Sequence, residues 1–143
     1  MNDLAATRPE PERAVMQHFH PLPYEVDFTG FLSNTVAPRW MEALRVQLMR
    51  TCFPHFDSGA PQHLSVITET TVRYRKPVRY GDAMVGKAWL HSARYSRWVI
   101  AFSFAFEPSG LLALEGRQAG TFIDPRTHLP VPIPASLRLL ADH

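Results

Sequence analysis

The sequence is poor in the features that mark several large classes of protein. It has one cysteine in 143 residues, which excludes a disulfide within the chain. No apolar run approaches the roughly 20 residues of a membrane-spanning helix, and the N-terminus lacks the apolar core of a secretory signal. The net charge is only +2, far short of a nucleic-acid-binding surface. We therefore expect a cytoplasmic protein that binds neither membranes nor nucleic acids.

Common catalytic and cofactor motifs are missing too. There is no Gly-x-Ser-x-Gly elbow of the serine hydrolases and no Gly-rich phosphate loop. His18 and His20 point to one side of a predicted strand, but no further ligand follows at a useful spacing, so we expect no metal and no other cofactor. Cys52 falls on the apolar stripe of a predicted helix, which favours a buried apolar role over a nucleophilic one.

The length and composition suit one domain with one hydrophobic core. Hydrophobic residues make up 45% of the chain, an ordinary content for a globular protein. Residues 1–15 are polar and contain proline, so we expect a mobile leader there. Residues 16–143 are expected to form the single domain.

Hydrophobic periodicity predicts one helix and five strands. The predicted helix, 35–52, carries an apolar stripe of Met41, Leu44, Leu48 and Cys52, widened by Trp40 and Met49. The predicted strands are 17–26, 63–75, 83–93, 97–106 and 111–123. Pro21 and Pro23 indicate that the first strand lies at an edge or starts late. This order predicts an α+β fold in which a curved, mostly antiparallel sheet wraps around one long helix.

The strand patterns also predict which side chains share a face. In the strand 97–106, large apolar residues alternate with Val99, Ala101, Ser103 and Ala105, and we expect the helix to lie on this face of small residues. In the strand 63–75, one face is predicted to carry Leu64, Val66, Val72 and Tyr74. Gly116 and Gly120 indicate a close approach or a bulge in the last strand.

The stretch 24–45 carries the main candidate for chemistry. Asp27 lies where the first predicted strand meets a loop, and Gly30 permits a sharp bend there. Asn34 and Thr35 are both suitable N-caps for the helix. A carboxylate and the amide end of a helix should therefore face one small volume. That pairing suits attack on a carbonyl group, because the carboxylate handles water while the amides bind the oxyanion.

The same stretch resembles the signature of the hotdog-fold acyl-CoA thioesterases of the 4-hydroxybenzoyl-CoA thioesterase type. The matching residues are Glu25, Asp27, Gly30, Asn34, Glu42 and Arg45. The turn from Tyr74 to Asp82 is similar to the family's Tyr-x-x-Pro-x-x-x-Gly-Asp, and the segment from Val131 to Pro134 is similar to its closing Pro-x-Pro. The three motifs occur in the family's order, so the resemblance implies the hotdog fold.

The resemblance implies an enzyme that hydrolyses an acyl- or aroyl-CoA thioester to the free acid and CoA. Asp27 matches the family's catalytic carboxylate, acting as general base or as nucleophile on the thioester carbon. Backbone amides near Asn34 and Thr35 would bind the oxyanion. Glu42 matches a position that is more often structural, where it pairs with Arg45.

Further residues are predicted to bind the substrate. They are Phe28, Gly30, Phe31, Arg75, Lys76 and Arg97. Phe28 and Phe31 would line an acyl pocket that Ala37 makes wider, because the family commonly has Tyr at the position of Ala37. The basic residues either contact CoA phosphates or form a solvated strand face.

Partners and alternatives complete the interpretation. A lone unit would leave sheet edges and a second apolar face exposed, which favours oligomers, and the resemblance implies a homodimer or homotetramer with active sites at the dimer seam.

Two alternatives stay open: a thioesterase acting on acyl carrier protein, and a non-catalytic acyl-CoA-binding hotdog protein. A hotdog dehydratase is disfavoured, because that chemistry usually pairs His with a carboxylate and the stretch 24–45 contains no His.

Overall fold

A computed structural model describes residues 14–52 and 63–135. Its elements are β1 (Val15–Phe19), a 3₁₀ turn (Pro23–Glu25), α1 (Ala37–Cys52), β2 (Leu64–Tyr74), β3 (Met84–Arg94), β4 (Arg97–Phe106) and β5 (Leu112–Ile123). The strands form one antiparallel sheet in the order β1-β3-β4-β5-β2. The predicted α+β fold, with a curved sheet and one long helix, is confirmed.

The helix packs on the aromatic face of β4, and the prediction that it packs on the small-residue face is wrong. The Trp40 ring of α1 lies 5.7 Å from the Phe104 ring and 5.0 Å from the Phe19 ring. The expected stripe of α1 is buried, with Met41 and Leu44 at 0% exposure. The aromatic side offers far more apolar area to remove from water, and this decides which face the helix covers.

Room for those large side chains comes from two glycines on the neighbouring strand β5. A Cβ atom on Gly120 would lie 2.1 Å from Trp98 Cζ2 and 2.5 Å from the carbonyl oxygen of Val66. One on Gly116 would lie 2.7 Å from Met41 Cε. Both glycines are therefore sites of close approach, which was one of the two predicted roles.

Because β2 contains a bulge, the four apolar residues that were predicted to share one face of this strand do not share it. The pairing of β2 with β5 shifts register between Ile67 and Glu69. Because a bulge adds one residue, it reverses the side that later residues face. Val72 and Tyr74 consequently lie on the helix side, opposite Gly116 and Leu114, whereas Leu64 and Val66 lie on the other side.

Two predicted boundaries are also corrected. β1 ends at Phe19 rather than at residue 26, because Pro21 and Pro23 cannot donate to a ladder and Pro23 begins the 3₁₀ turn. Its position at a sheet edge is confirmed. The helix begins at Ala37, so Thr35 and Asn34 lie two and three residues before it and neither is the N-cap.

Other predictions concern segments at the margins of the described residues. The expected leader, 1–15, lies outside them up to residue 13, and Val15 already belongs to β1. The sequence also predicts a loop over 55–62 and a short terminal helix over 135–140; the loop and all of that helix except Ala135 lie outside the described residues. The Pro-x-Pro segment docks on the sheet through Ile133, which is buried and whose N–H donates to the Tyr95 carbonyl at 2.6 Å. Within the described ranges, no helix is long and apolar enough to cross a membrane.

Candidate active site

Asp27 lies on a short hairpin that leads directly into α1. The arms pair through the Val26–Leu32 bridge, and the Asp27 N–H donates to the Phe31 carbonyl at 3.0 Å. Gly30 makes the turn with a φ of +88°, a conformation that side chains rarely permit. The hairpin therefore places Asp27 on one arm and leads the other arm to Asn34 and the helix.

One oxygen of the Asp27 carboxylate is anchored and the other is available. Oδ1 accepts hydrogen bonds from the Thr29 hydroxyl and from the Thr29 N–H, the latter at 2.9 Å. The hydroxyl bond, followed by the backbone bond, lowers the pKa of Asp27, so the group is charged at neutral pH. Among the described residues Oδ2 has no hydrogen-bond partner. Asp27 thus caps a turn and still presents one oxygen for chemistry.

The backbone N–H groups that precede α1 differ in whether they already donate a hydrogen bond within the chain. The Ser33 N–H donates to the Glu25 carbonyl at 2.8 Å, and the Val36 N–H donates to the Ser33 carbonyl at 3.0 Å. The Thr35 N–H makes a longer bond of 3.3 Å to Ser33 Oγ. No acceptor within 14–52 or 63–135 meets the Asn34 N–H. Of the two predicted donors, Asn34 is thus the more available.

The turn after β2 contacts the second arm of the hairpin. The Leu32 N–H donates to the Val78 carbonyl at 2.7 Å, and Phe31 forms a bridge with Arg79. The Arg79 guanidinium lies 5.3 Å from the centre of the Phe31 ring, within the range of a cation–π contact. The second sequence motif is therefore in contact with the first, although about 45 residues separate them along the chain.

A cavity of about 300 Å³ lies between the hairpin and this turn. It is lined by Phe31, Leu32, Tyr74, Arg75, Lys76, Pro77, Val78 and Leu114. Three of the predicted substrate-binding residues, Phe31, Arg75 and Lys76, therefore meet at one cavity. Their role in binding stays a prediction.

The structure does not bring the other two aromatic and basic candidates to this cavity within one chain. Phe28 is at the hairpin tip and is 100% exposed. Arg97 is the first residue of β4 and pairs with Arg94. The turn that follows β2 leads instead into Met84, which pairs with Phe106 at the opposite end of β4. Arg97 is thus separated from the hairpin by the length of a strand.

Sequence reasoning missed several residues that shape the site. Thr29 fixes Asp27, and a Thr two residues after an Asp is a recognisable turn signal. Tyr74 reaches the Asn34 carbonyl at 3.1 Å. Glu115 is 1% exposed and accepts from Arg75 Nε and Nη2, each at 2.8 Å. The signal for Glu115 is that it is the one acidic residue of β5 and follows three apolar residues, and such a group is buried only when it is paired.

The remaining residues considered from the sequence are the pair of Glu42 and Arg45, the thiol of Cys52, and His18. Burial lowers the pKa of Arg45, and the Glu42 carboxylate partly offsets this, so the two charges interact without a hydrogen bond among the described residues. Burial raises the pKa of Cys52 to about 11, which is opposite to the shift of a nucleophilic thiol. His18 Nδ1 lies 3.1 Å from Glu107 Oε1. Within the described ranges no three His, Cys, Asp or Glu side chains group as metal ligands.

Comparison with known proteins decides the family. The model of the thioesterase-like superfamily matches residues 21–139, which include the hairpin, the turn after β2 and the Pro-x-Pro segment. The chain belongs to the thioesterase-like superfamily. It is accordingly an enzyme of the thioester hydrolase class, and the predicted family and hotdog fold are confirmed.

Individual proteins are similar to most of the chain. The Bacillus subtilis protein "Putative acyl-CoA thioesterase YneP" is 23% identical over 108 residues, covering 75% of this chain and 78% of that protein. A structure described as a predicted thioesterase from Bacillus stearothermophilus superposes with a TM-score of 0.78 at 23% identity, over 91% of this chain and 96% of the other. The 1,4-dihydroxy-2-naphthoyl-CoA thioesterase Slr0204 from Synechocystis superposes with a TM-score of 0.77 at 11% identity, over 91% and 98%. These superpositions show a shared fold.

Proposed function

We propose that this superfamily member hydrolyses an acyl- or aroyl-CoA thioester, with Asp27 as the catalytic carboxylate and the Asn34 N–H as the oxyanion donor. The observation that carries the proposal is the shared hairpin: it holds an ionised carboxylate with one available oxygen and leads to an amide with no partner among the described residues. YneP, a similar protein, is named for acyl-CoA. The dihydroxynaphthoyl-CoA enzyme is named for an aromatic acyl group.

Asp27 can drive hydrolysis in two ways. As a general base it takes a proton from water, and the oxygen of that water attacks the thioester carbon. As a nucleophile it attacks that carbon itself, and water then cleaves the resulting mixed anhydride. In both routes the carbonyl oxygen becomes an oxyanion that accepts from the Asn34 N–H, and the carbon–sulfur bond breaks to release CoA thiolate, which takes up a proton. Such a donor contributes about 3 kcal/mol to lowering the barrier.

The CoA portion is proposed to lie along the cavity beside the hairpin. Arg75 and Lys76 border that cavity, and guanidinium and ammonium groups are suitable partners for phosphate oxygens. Glu115 supports this role, because its buried carboxylate holds the Arg75 guanidinium in one orientation at the cavity rim. Phe31 offers an apolar surface for the acyl or pantetheine portion.

The direct test is thiol release from short, long and aromatic acyl-CoAs by wild type and Asp27→Asn. We expect release by wild type and a loss of several orders of magnitude in the variant. Asp124→Asn is a matched control, because Asp124 also caps an exposed turn through backbone amides and its pKa is likewise lowered by those bonds. Undiminished turnover in Asp27→Asn would contradict the proposed role of this carboxylate.

Further measurements separate the remaining alternatives. A single turnover in H₂¹⁸O that labels the Asp27 side chain identifies it as the nucleophile, with water attacking the anhydride at the Asp27 carboxyl carbon. Label in the product alone fits the general base and also an anhydride cleaved at the acyl carbon, and rapid-quench detection of acylated Asp27 separates these two. Comparing one acyl group carried by CoA and by acyl carrier protein identifies the donor. Tight stoichiometric binding of acyl-CoA without thiol release from either donor would instead identify a binding protein.

A further inference from the structure

The hydroxyl group of Tyr74 connects β2 to the loop that precedes α1. It donates a hydrogen bond of 3.1 Å to the backbone carbonyl of Asn34. The acid–base chemistry proposed above does not use Tyr74. We infer that Tyr74 is a positioning residue, whose hydrogen bond holds the Asn34 backbone so that the amide proposed to bind the oxyanion points in a fixed direction. This inference rests on the proposed function, because it takes the Asn34 N–H as the donor.

The argument starts from the way the loop is held. Each peptide unit is planar, so the direction of the Asn34 N–H depends on the peptide that joins it to Ser33 and on the backbone angles at Asn34. On the Ser33 side, the carbonyl of the peptide that carries the Asn34 N–H accepts from the Val36 N–H at 3.0 Å, and the preceding peptide is held by the bond from the Ser33 N–H to the Glu25 carbonyl at 2.8 Å. The Tyr74 hydroxyl fixes the other side by binding the Asn34 carbonyl. Asn34 is therefore restrained on both sides of its Cα atom.

The other restraints on this part of the loop come from within the loop, including the 3.0 Å bond from the Val36 N–H to the Ser33 carbonyl. The side chains of Asn34 and Thr35 are both exposed, so burial does not hold them. The Thr35 N–H bond to Ser33 Oγ is 3.3 Å long and connects two residues of the same loop. Only the bond from Tyr74 ties the Asn34 peptide to the sheet among the described residues. Removing it should let the donor drift, and a displacement of about 1 Å at a reacting group can cost as much as 100-fold in rate.

The surroundings of Tyr74 suit this function. It is the last residue of β2, and its pairing with Leu114 places it on the helix side of the sheet. Its ring borders the cavity together with Phe31 and Lys76. Burial raises the pKa of its phenol, so the hydroxyl stays protonated and able to donate throughout the usual assay range.

The simpler interpretation is that Tyr74 serves only through its ring, as part of the cavity wall. Tyr74→Phe separates the two, because it keeps the ring and removes the hydroxyl. The matched control is Tyr80→Phe, which removes a hydroxyl from an exposed tyrosine in the same turn. If the hydroxyl positions the donor, kcat should fall roughly tenfold in Tyr74→Phe, with KM and the Kd of a non-hydrolysable thioether analogue of acyl-CoA within about twofold. The thioether develops no oxyanion, so its binding reports only on the cavity.

A second readout does not depend on activity. In Tyr74→Phe the hydrogen-bonded amides of Ser33, Thr35 and Val36 should exchange with solvent faster than in wild type, while those of β4 stay protected. Tyr80→Phe should leave both sets unchanged. Thermal unfolding of each variant, followed by circular dichroism, shows that it is folded at the assay temperature.

The outcomes distinguish this inference from the proposed function. Loss of activity in Asp27→Asn together with the kcat effect and faster exchange in Tyr74→Phe supports both. Loss in Asp27→Asn with normal kcat and normal exchange in Tyr74→Phe overturns the inference and leaves the proposed function in place. A raised KM and weaker thioether binding at unchanged kcat would show that Tyr74 acts as cavity wall, which also overturns it. If wild type releases no thiol from any donor, the proposed function fails, and the catalytic role inferred for Tyr74 fails with it even if the exchange measurement shows the restraint.

Discussion

At the scale of single residues, Thr29 controls the charge state of Asp27. Its hydroxyl and amide stabilise the charged carboxylate and lower its pKa. Thr29→Val removes the hydroxyl, so the pKa of Asp27 should rise and the acidic limb of kcat/KM should move to higher pH. The variant would then lose activity in mild acid before wild type does, while the two converge at alkaline pH. Thr127→Val, which removes the same group from the turn capped by Asp124, should leave the profile in place. An unmoved acidic limb in Thr29→Val would contradict this origin of the shift.

Cys52 offers a second prediction at this scale. Its pKa is raised to about 11 by burial, and its thiol donates to the Leu48 carbonyl at 3.0 Å. At pH 8 only roughly a thousandth of the thiol is ionised, and the thiolate is the reactive form. Labelling by a thiol reagent should therefore be slow in the native protein and fast in urea. Fast labelling under native conditions would show that the end of α1 opens readily.

At the scale of elements, two glycines of β5 make contrasting tests of how tightly the sheet packs. An Ala side chain at 120 meets the Trp98 ring and the Val66 carbonyl, and the backbone oxygen cannot move away cheaply. At 116 the closest atom is the flexible end of Met41, at 2.7 Å. We expect Gly120→Ala to lower the free energy of unfolding by about 3 kcal/mol and Gly116→Ala by about 1 kcal/mol. Urea denaturation of both variants measures the difference, and equal losses would contradict the packing argument.

The elements also show how far sequence reasoning reaches. The bounds of β4 were predicted to the residue, because its alternation is uninterrupted. The face covered by α1 was predicted wrongly, since the space it needs is provided by Gly116 and Gly120 on another strand. In the candidate site, Gly30 and its turn follow from local chemistry. The bond between Tyr74 and Asn34 joins residues 40 apart, so only the packed sheet brings them together.

At the scale of the whole molecule, the single chain leaves its candidate site open. Asp27 is exposed, and Phe28 beside it is 100% exposed, although hydrolases usually exclude bulk water from the reacting group. β2 lies at an edge of the sheet, and edge strands are ready templates for pairing with another chain. Both features favour assembly with a second copy, which the resemblance also implied.

The sequence of β2 suggests how two copies pair. If two β2 strands meet antiparallel about a two-fold axis at Thr71, Glu69 of each lies opposite Arg73 of the other, and both residues are exposed on the same face. Cross-strand pairs of opposite charge are favourable, and like charges are not. We expect light scattering to give the wild-type protein a molar mass twice that of one 16.3 kDa chain. Glu69→Arg places like charges together at two points and should shift the population toward monomer. The exchange Glu69→Arg with Arg73→Glu restores both pairs across the interface and should restore the dimer. Because Arg73 also lies opposite Glu115 within the chain, thermal unfolding checks that this variant is folded. Recovery in the double variant distinguishes this register from a general sensitivity of the edge to charge, whereas a dimer unaffected by Glu69→Arg would place the interface elsewhere.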